Sequence, residues 1–367
     1  MAVVGVGRMG RVHARSLLQG EVARARLVAV CDSDPEALAH FPGVAQFSTG
    51  PELFASGLAD AVLIATPHYD HTPLAIAALG AGLHVLTEKP LAVHKADCLK
   101  MLAAYEARRD ARQVFAAMFN LRAEPRFLEL RRLIQSGELG KLRRMHWTVT
   151  DCFRSAAYYR SAGWRATWRG EGGGVLLNQC LHQLDLWQWL FGMPERVHAF
   201  CGFGRFHEIE VEDQVTAYLE YEHGTNGVFV TSTAEAPGQN RLEVLGDLGS
   251  VVLDGSELTF TAHAVSTAHA LAHGPPRGVL PLGTTQVLPF PVGENRRNTL
   301  IANFVAAILE GDALIAPASE GVASVELANA MIYSGLGGQT VRLPLDPAVY
   351  AALLDDLVDG SRRASSP

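Results

Sequence analysis

The chain has 367 residues, too many for one ordinary core and enough for two domains that each bury a sizeable interior. Its 31 basic against 38 acidic side chains give a formal net charge of −7, which argues against nonspecific nucleic-acid binding. No apolar run approaches the ~18 residues of a membrane span, the start lacks the sections of a signal peptide, and the five cysteines are scattered without a CxxC pair. The expected location is therefore the cytoplasm, with neither a disulfide framework nor a zinc site.

Ala2-Val3-Val4 leads directly into Gly5-Val6-Gly7-Arg8-Met9-Gly10 and then a helical run through Leu17 and Leu18. This is GxGxxG between a strand and a helix. Gly5 permits the tight turn, Gly7 lets backbone N–H groups approach a pyrophosphate, and Gly10 lets helix and strand pack closely, with Arg8 and Met9 carried alongside. A second apolar run, Leu27 to Val30, ends at Cys31-Asp32, about 20 residues beyond the last glycine, where an acidic side chain accepts from a ribose diol and repels a 2′-phosphate. NAD is thus favoured over NADP, although a turn role for Asp32 within DSDPE is the plainer alternative.

Ala61 to Ala65 reads as the next buried strand, broken by Thr66-Pro67 before His68, His71 and a helix from Leu74 to Ala81. Two histidines without a third ligand nearby fall short of a metal site. The stretch Leu83 to Leu91, LHVLTEKPL, then delivers Glu88, Lys89 and Pro90 to the end of a strand, which is where open α/β sheets bind ligands. A helix from Lys95 to Arg108 and a strand from Val114 to Met118 complete the alternation, so residues 1–118 predict a Rossmann domain with a doubly wound parallel sheet.

Residues 119–367 read as a second, α+β domain. Asn120-Leu121-Arg122 and Pro125 open a helix through Leu133, where Asn120 suits an N-cap-like role, and a strand from Arg144 to Thr150 follows. Asp151 to Glu171 has no regular period. It mixes Phe153, Tyr158, Tyr159, Trp164 and Trp168 with Arg154, Arg160, Arg165 and Arg169, as a segment covering a substrate would, or alternatively a subunit contact. Gly172-Gly173-Gly174 leads into a predicted helix on which Asn178, His182 and Asp185 stand at i, i+4 and i+7, on one face. That polar stripe is a site, or else a His182–Asp185 pair capping a domain interface. Beyond Gly192, alternating segments at 197–203, 215–221, 227–232, 242–245 and 250–253 predict a large, mostly antiparallel open sheet, followed by helices near Ile301–Leu309 and Val322–Tyr333 and a frayed tail from Asp359.

The glycine loop, the EKP stretch and the GGG…H…D stretch together resemble the glucose-fructose oxidoreductase / inositol dehydrogenase (Gfo/Idh/MocA) family of NAD(P)-dependent enzymes, over almost the whole chain. The resemblance implies that Lys89 sits beside the nicotinamide, that Thr66, Pro67 and His71 form a turn against the cofactor, and that Glu88 and Asn120 also lie near it. It further implies His182 as general base, Lys89 hydrogen-bonded to the reacting oxygen, Asp185 orienting His182, and Asn178 holding a neighbouring hydroxyl. Arg154, Tyr158, Arg165 and Trp168 are expected on the substrate. Two positions depart from the family pattern: Asn178 stands where an aspartate is usual, and Cys180 where a small glycine is. Asparagine cannot accept a proton. Similar proteins also carry several residues before the first strand, which here begins almost at Met1, so the start is expected to be clipped. The expected activity is NAD-dependent oxidation of a secondary alcohol on a sugar, inositol or sugar derivative, by a homodimer or homotetramer with no nucleic-acid or membrane partner. A glycoside hydrolase or lyase using NAD transiently, and a dinucleotide-sensing regulator without turnover, remain as alternatives.

Overall fold

The computed structural model describes residues 1–275, 278, 283–291, 295–362 and 364. Its first half is built on a parallel sheet of β1 (Ala2–Val4), β2 (Ala29–Cys31), β3 (Ala45–Phe47), β4 (Ala61–Ile64), β5 (His84–Thr87) and β6 (Phe115–Ala117), in the order β3-β2-β1-β4-β5-β6. Every residue of β1, β2, β4 and β6 is buried. Continuous apolar runs of this kind suit a parallel sheet that helices cover on both faces. The order reverses between β1 and β4. The crevice beyond the carboxyl ends of those strands is where such sheets take their ligands, and Gly5, Thr66 and Lys89 all stand there.

The second half forms a nine-stranded sheet from β7 (Leu142–Val149), β8 (Arg196–Phe203), β9 (Glu212–Glu220), β10 (Asn226–Ser232), β11 (Asn240–Gly246), β12 (Gly249–Asp254), β13 (Glu257–Ala262), β14 (Thr284–Val287) and β15 (Val341–Arg342). Its order is β14-β13-β12-β11-β7-β10-β9-β8-β15, with β7 and β10 parallel and the other pairs antiparallel. Inward residues alternate with partly exposed ones, as in the β10 burial pattern. One face packs against the helices Leu181–Phe191 and Ala318–Gly337, through contacts such as Trp187 on Phe229. The other lies open, with Phe200 62% and Tyr218 43% exposed.

The halves are laced together by a segment from late in the chain. The Ala117 N–H at the edge strand β6 donates to the Ala316 carbonyl (3.0 Å), and Ala116 forms a bridge with Pro317. The helix Ala318–Gly337 then grips the segment after β5: Asn329 accepts from the Lys95 N–H and donates to the Val93 carbonyl, and Lys95 Nζ pairs with Glu326 at 2.7 Å.

Several local expectations need correction. The helix expected from Leu74 begins at His68, the short strands β3 and β14 carry little alternation, and β13, which alternates through Leu258 and Phe260, extends the sheet beyond the expected segments. The aromatic segment contains two short helices, Ala156–Arg160 and Trp168–Glu171, each capped by the side chain of the residue before it, Ser155 and Thr167. The expected unbroken helix from Val175 starts instead as a π turn, Val175–Gln179, and only then becomes α-helical at Leu181–Phe191. Near the end, helix Pro347–Asp359 reaches the start of the expected tail, of which residues 363 and 365–367 lie outside the described residues.

Candidate active site

Between the two halves lies a cleft of about 1060 Å³. At one end the glycine loop is shaped for close approach. Gly5 has φ +81°, and a Cβ there would meet the Ala65 carbonyl and the Thr66 nitrogen at 2.8 Å; a Cβ on Gly10 would strike the Gly5 carbonyl oxygen at 1.7 Å. Gly10 is therefore a packing residue and does not line the cleft. A Cβ on Gly7 would meet nothing within 4 Å, so the loop presents bare backbone to open space, the geometry a pyrophosphate needs. Asp32 lines the same end. One carboxylate oxygen accepts from the Val6 N–H (2.7 Å) and the other from the Asp34 N–H (3.0 Å), which fixes the carboxylate and leaves lone pairs free for two hydroxyls. These residues fit a dinucleotide with an unphosphorylated ribose.

Gly5, Gly7, Arg8, Met9, Thr66, Pro67, Glu88, Lys89 and Asn120 all border the cleft. His71 does not. It is buried behind the strand ends with its nitrogens 2.7 Å from the Pro90 carbonyl and 3.0 Å from that of Thr66, so it braces the EKP turn against the Thr66 turn rather than facing a ligand. Glu88 is held just as firmly, 2.7 Å from His13 Nε2 and accepting from the Lys89 N–H. Burial pushes its carboxyl up, but the His13 contact and the Lys89 charge outweigh that and bring it to about 2.

At the centre, Lys89 Nζ donates to the main-chain carbonyl of Asn178 at 2.5 Å. In an unbroken α-helix that carbonyl would take the N–H of His182; here the π turn frees it, and the Cys180 N–H closes back on Val175. Burial lowers the Lys89 pKa, while Glu88 and Glu171 oppose the shift. His182 lines the cleft edge-on to Phe119, its Nδ1 buried without a hydrogen-bond partner among the described residues. Burial, then the Lys89 charge, depresses it to about 3, so it stays neutral at ordinary pH. Asn178 and His182 thus reach the cleft together with Lys89.

Asp185 does not join them. It is fully buried in a two-pronged pair with Arg122, which also donates to Glu320, and among the described residues its hydrogen bonds go to Arg122 and Gln188 and none to His182. One turn of helix beyond His182, its side chain points to the three-ten turn Asn120–Ala123 that carries this arginine, a planar fork that matches a carboxylate better than an imidazole does. Trp168 is a second correction. It is only 3% exposed, packs on Phe203 and lies away from the cleft, because its short helix turns it inward.

Arg154, Tyr158 and Arg165 do border the cleft, joined by Trp164, which the sequence presents only as one aromatic among several. Arg165 donates to the Tyr158 hydroxyl (2.8 Å) and lies over both the Tyr158 and Trp164 rings, so this wall is a stacked, cationic surface. His68, Gln179 and Arg297 line it as well, without a distinguishing signal in the sequence. His68 Nδ1 lies 2.9 Å from the Glu171 carbonyl, and burial depresses its pKa to about 3.

Residues 1–116 match the oxidoreductase family with an NAD-binding Rossmann fold, and residues 127–252 match the GFO/IDH/MocA C-terminal domain. The chain is 30% identical over 364 residues to inositol 2-dehydrogenase 2 of Saccharopolyspora erythraea, covering 96% of this chain and 98% of that protein. It is 26% identical over 340 residues to inositol 2-dehydrogenase of Rhizobium meliloti, covering 90% and 95%. Among solved structures it is similar to the WlbA dehydrogenase from Bordetella pertussis in complex with NADH and UDP-GlcNAcA, with a TM-score of 0.78, 27% identity, and 94% of this chain and 98% of that one covered.

Proposed function

Because the chain belongs to the Gfo/Idh/MocA family of oxidoreductases with an NAD-binding Rossmann fold, we propose that it oxidises a secondary alcohol of a sugar, an inositol or a sugar derivative, using NAD. The observation that carries this reading is the meeting of Lys89, Asn178 and His182 in one cleft whose other end is a bare glycine loop beside Asp32. Bound NAD supplies the hydride acceptor. The protein's share is to orient the alcohol and manage its proton. Lys89 donates to the alcohol oxygen and stabilises negative charge as it develops there, a donor preorganised by its bond to the Asn178 carbonyl. His182, neutral because it is buried beside a cation, takes the hydroxyl proton. The Tyr158, Trp164 and Arg165 wall packs on the sugar's C–H faces and donates to its hydroxyl or carboxylate groups.

Residues 1–118 serve in this reading as the nucleotide-binding unit and 119–367 as the substrate unit. The open face of the nine-stranded sheet, with Phe200 and Tyr218 exposed, supports a homodimer or homotetramer formed across it. Among the described residues no helix is long and apolar enough to cross a membrane, and we assign the enzyme to the cytoplasm. The deciding experiment is an NADH-absorbance screen over inositols, aldoses, uronates and nucleotide-linked sugars. Reduction of NAD by at least one of them is expected; silence across the panel, with NAD shown to bind, would overturn the dehydrogenase reading.

A further inference from the structure

The sequence places asparagine where the family pattern has an acid, yet the site is not without a carboxylate. Glu171 ends the short helix Trp168–Glu171, and the chain then turns left-handed at Gly172 (φ +75°), which tucks the glutamate beneath the π turn at 1% exposure. One carboxylate oxygen accepts from the Ala166 N–H (2.7 Å), and the other accepts a short hydrogen bond from the Asn178 side-chain amide. Arg165 Nη1 lies 3.9 Å away.

This contact decides which way the Asn178 amide faces. A carboxylate only accepts, so the NH₂ group has to turn to Glu171 and the carbonyl oxygen is left for the cleft. We propose that Glu171 is the displaced acid of this site: it orients Asn178 as an acceptor for a substrate hydroxyl and adds to Glu88 a second buried negative charge that balances Lys89. The proposal rests on the dehydrogenase reading for its substrate, but the Glu171–Asn178 coupling stands on geometry alone.

The ionisable groups around Glu171 set the balance. Burial raises its carboxyl above the usual carboxylate range, against the Ala166 N–H, Arg165, the Asn178 amide and Lys89, which favour its charged form; Glu212 and Tyr159, both raised chiefly by burial, are pushed up further by the Glu171 charge, and His68 Nδ1 lies 2.9 Å from its main-chain carbonyl. Glu171 does not line the cleft, so it is a positioning residue that acts through Asn178 and Lys89.

It follows that aspartate at 178 is harmful here, because it sets two carboxylates face to face. The like-charge pair raises a folded-state carboxyl pKa above its unfolded value, so stability is present at low pH and lost as pH rises. The test uses Asn178→Asp, Glu171→Gln and the two combined, which exchanges amide and acid. Thermal midpoints are measured from about pH 5.5 to about pH 9, with kcat on any substrate the screen yields. Asn178→Asp alone should lose midpoint progressively as pH rises and lose about 10-fold or more in kcat near neutrality; the double variant should recover most of both. Glu171→Gln should move the pH limb that reports Lys89 to lower pH, because an anion beside the ammonium is gone. A pH-independent midpoint for Asn178→Asp, or a double variant no better than that single one, overturns the proposal. The midpoints decide it even if no sugar is turned over, which separates its failure from that of the dehydrogenase reading.

Discussion

Asp185 is clasped by Arg122 through two hydrogen bonds, 2.7 Å from Nε and 2.6 Å from Nη2, at a point where neither residue reaches solvent. Burial works against the Arg122 charge, and the carboxylates of Asp185 and Glu320 outweigh it. The pair pins helix Leu181–Phe191, and with it His182, to the turn that carries Asn120. Removing one partner of a buried pair costs about 3–5 kcal/mol, because the other charge is left uncompensated. Asp185→Ala should therefore lower the unfolding free energy by that order, while kcat per folded molecule changes only a few-fold. A stable variant with kcat down about 100-fold would instead give Asp185 a direct role in the proton path.

For His182 and Lys89 the expectation is kinetic. His182→Ala should lower kcat by about 10²–10⁴-fold, the range of general acid–base catalysis, and Lys89→Met should be comparably damaging, with NAD affinity little altered in either. Since His182 is held to about 3, its protonation should give kcat/KM no acid limb near pH 6.5. A wild-type profile that halves near that pH, with the limb lost in His182→Ala, would contradict the environment described for the ring.

The two tryptophans should separate cleanly. Trp168 is core, so Trp168→Ala should destabilise the fold by about 3–5 kcal/mol. Trp164 faces the cleft, so Trp164→Ala should raise KM by roughly 2–10-fold, with NAD binding and the melting midpoint near wild type. Titration calorimetry and thermal melts distinguish the outcomes, and the reverse pattern would exchange the two assignments.

Asp32 predicts cofactor choice. The wild-type protein should bind NAD more tightly than NADP, and Asp32→Ala should weaken NAD by about 10–100-fold through loss of charged hydrogen bonds. The variant should also melt earlier without any ligand, since Val6 and Asp34 lose their acceptor. Equal NAD affinity in the variant would return Asp32 to a turn residue.

Much of this was legible in the sequence because the signals are local. The apolar runs at β1, β4 and β5, the glycine spacing and a lysine at a strand end each report their own few residues, and the parallel, doubly wound class of the sheet follows from the alternation of strands and helices. What stayed hidden depends on distant partners or on backbone irregularity. Helical periodicity placed Asp185 beside His182, but nothing local marks Arg122, 63 residues earlier, as its partner. The π turn leaves the Asn178 carbonyl to Lys89, a meeting between two halves of the chain that no local pattern marks. Trp164 and Trp168 lie in one composition, and only the Thr167 cap and the turn at Gly172 decide which faces inward. Glu171 went unread for the same reason, since its importance exists only once Gly172 folds it under Asn178.

The bridge between Ala116 and Pro317 bears on the order of synthesis. Chains emerge from the ribosome with the N-terminal end first, and early domains generally fold as units while the rest is being made. Here β6 is complete once residue 117 has emerged, but the segment that covers its outer edge is translated some two hundred residues later. Through that interval the nascent Rossmann sheet carries an uncovered edge strand, a template for pairing with another chain. Ribosome-bound chains halted before residue 316 should accordingly be more prone to aggregate and to recruit chaperones than chains released after helix Ala318–Gly337 has closed over β6.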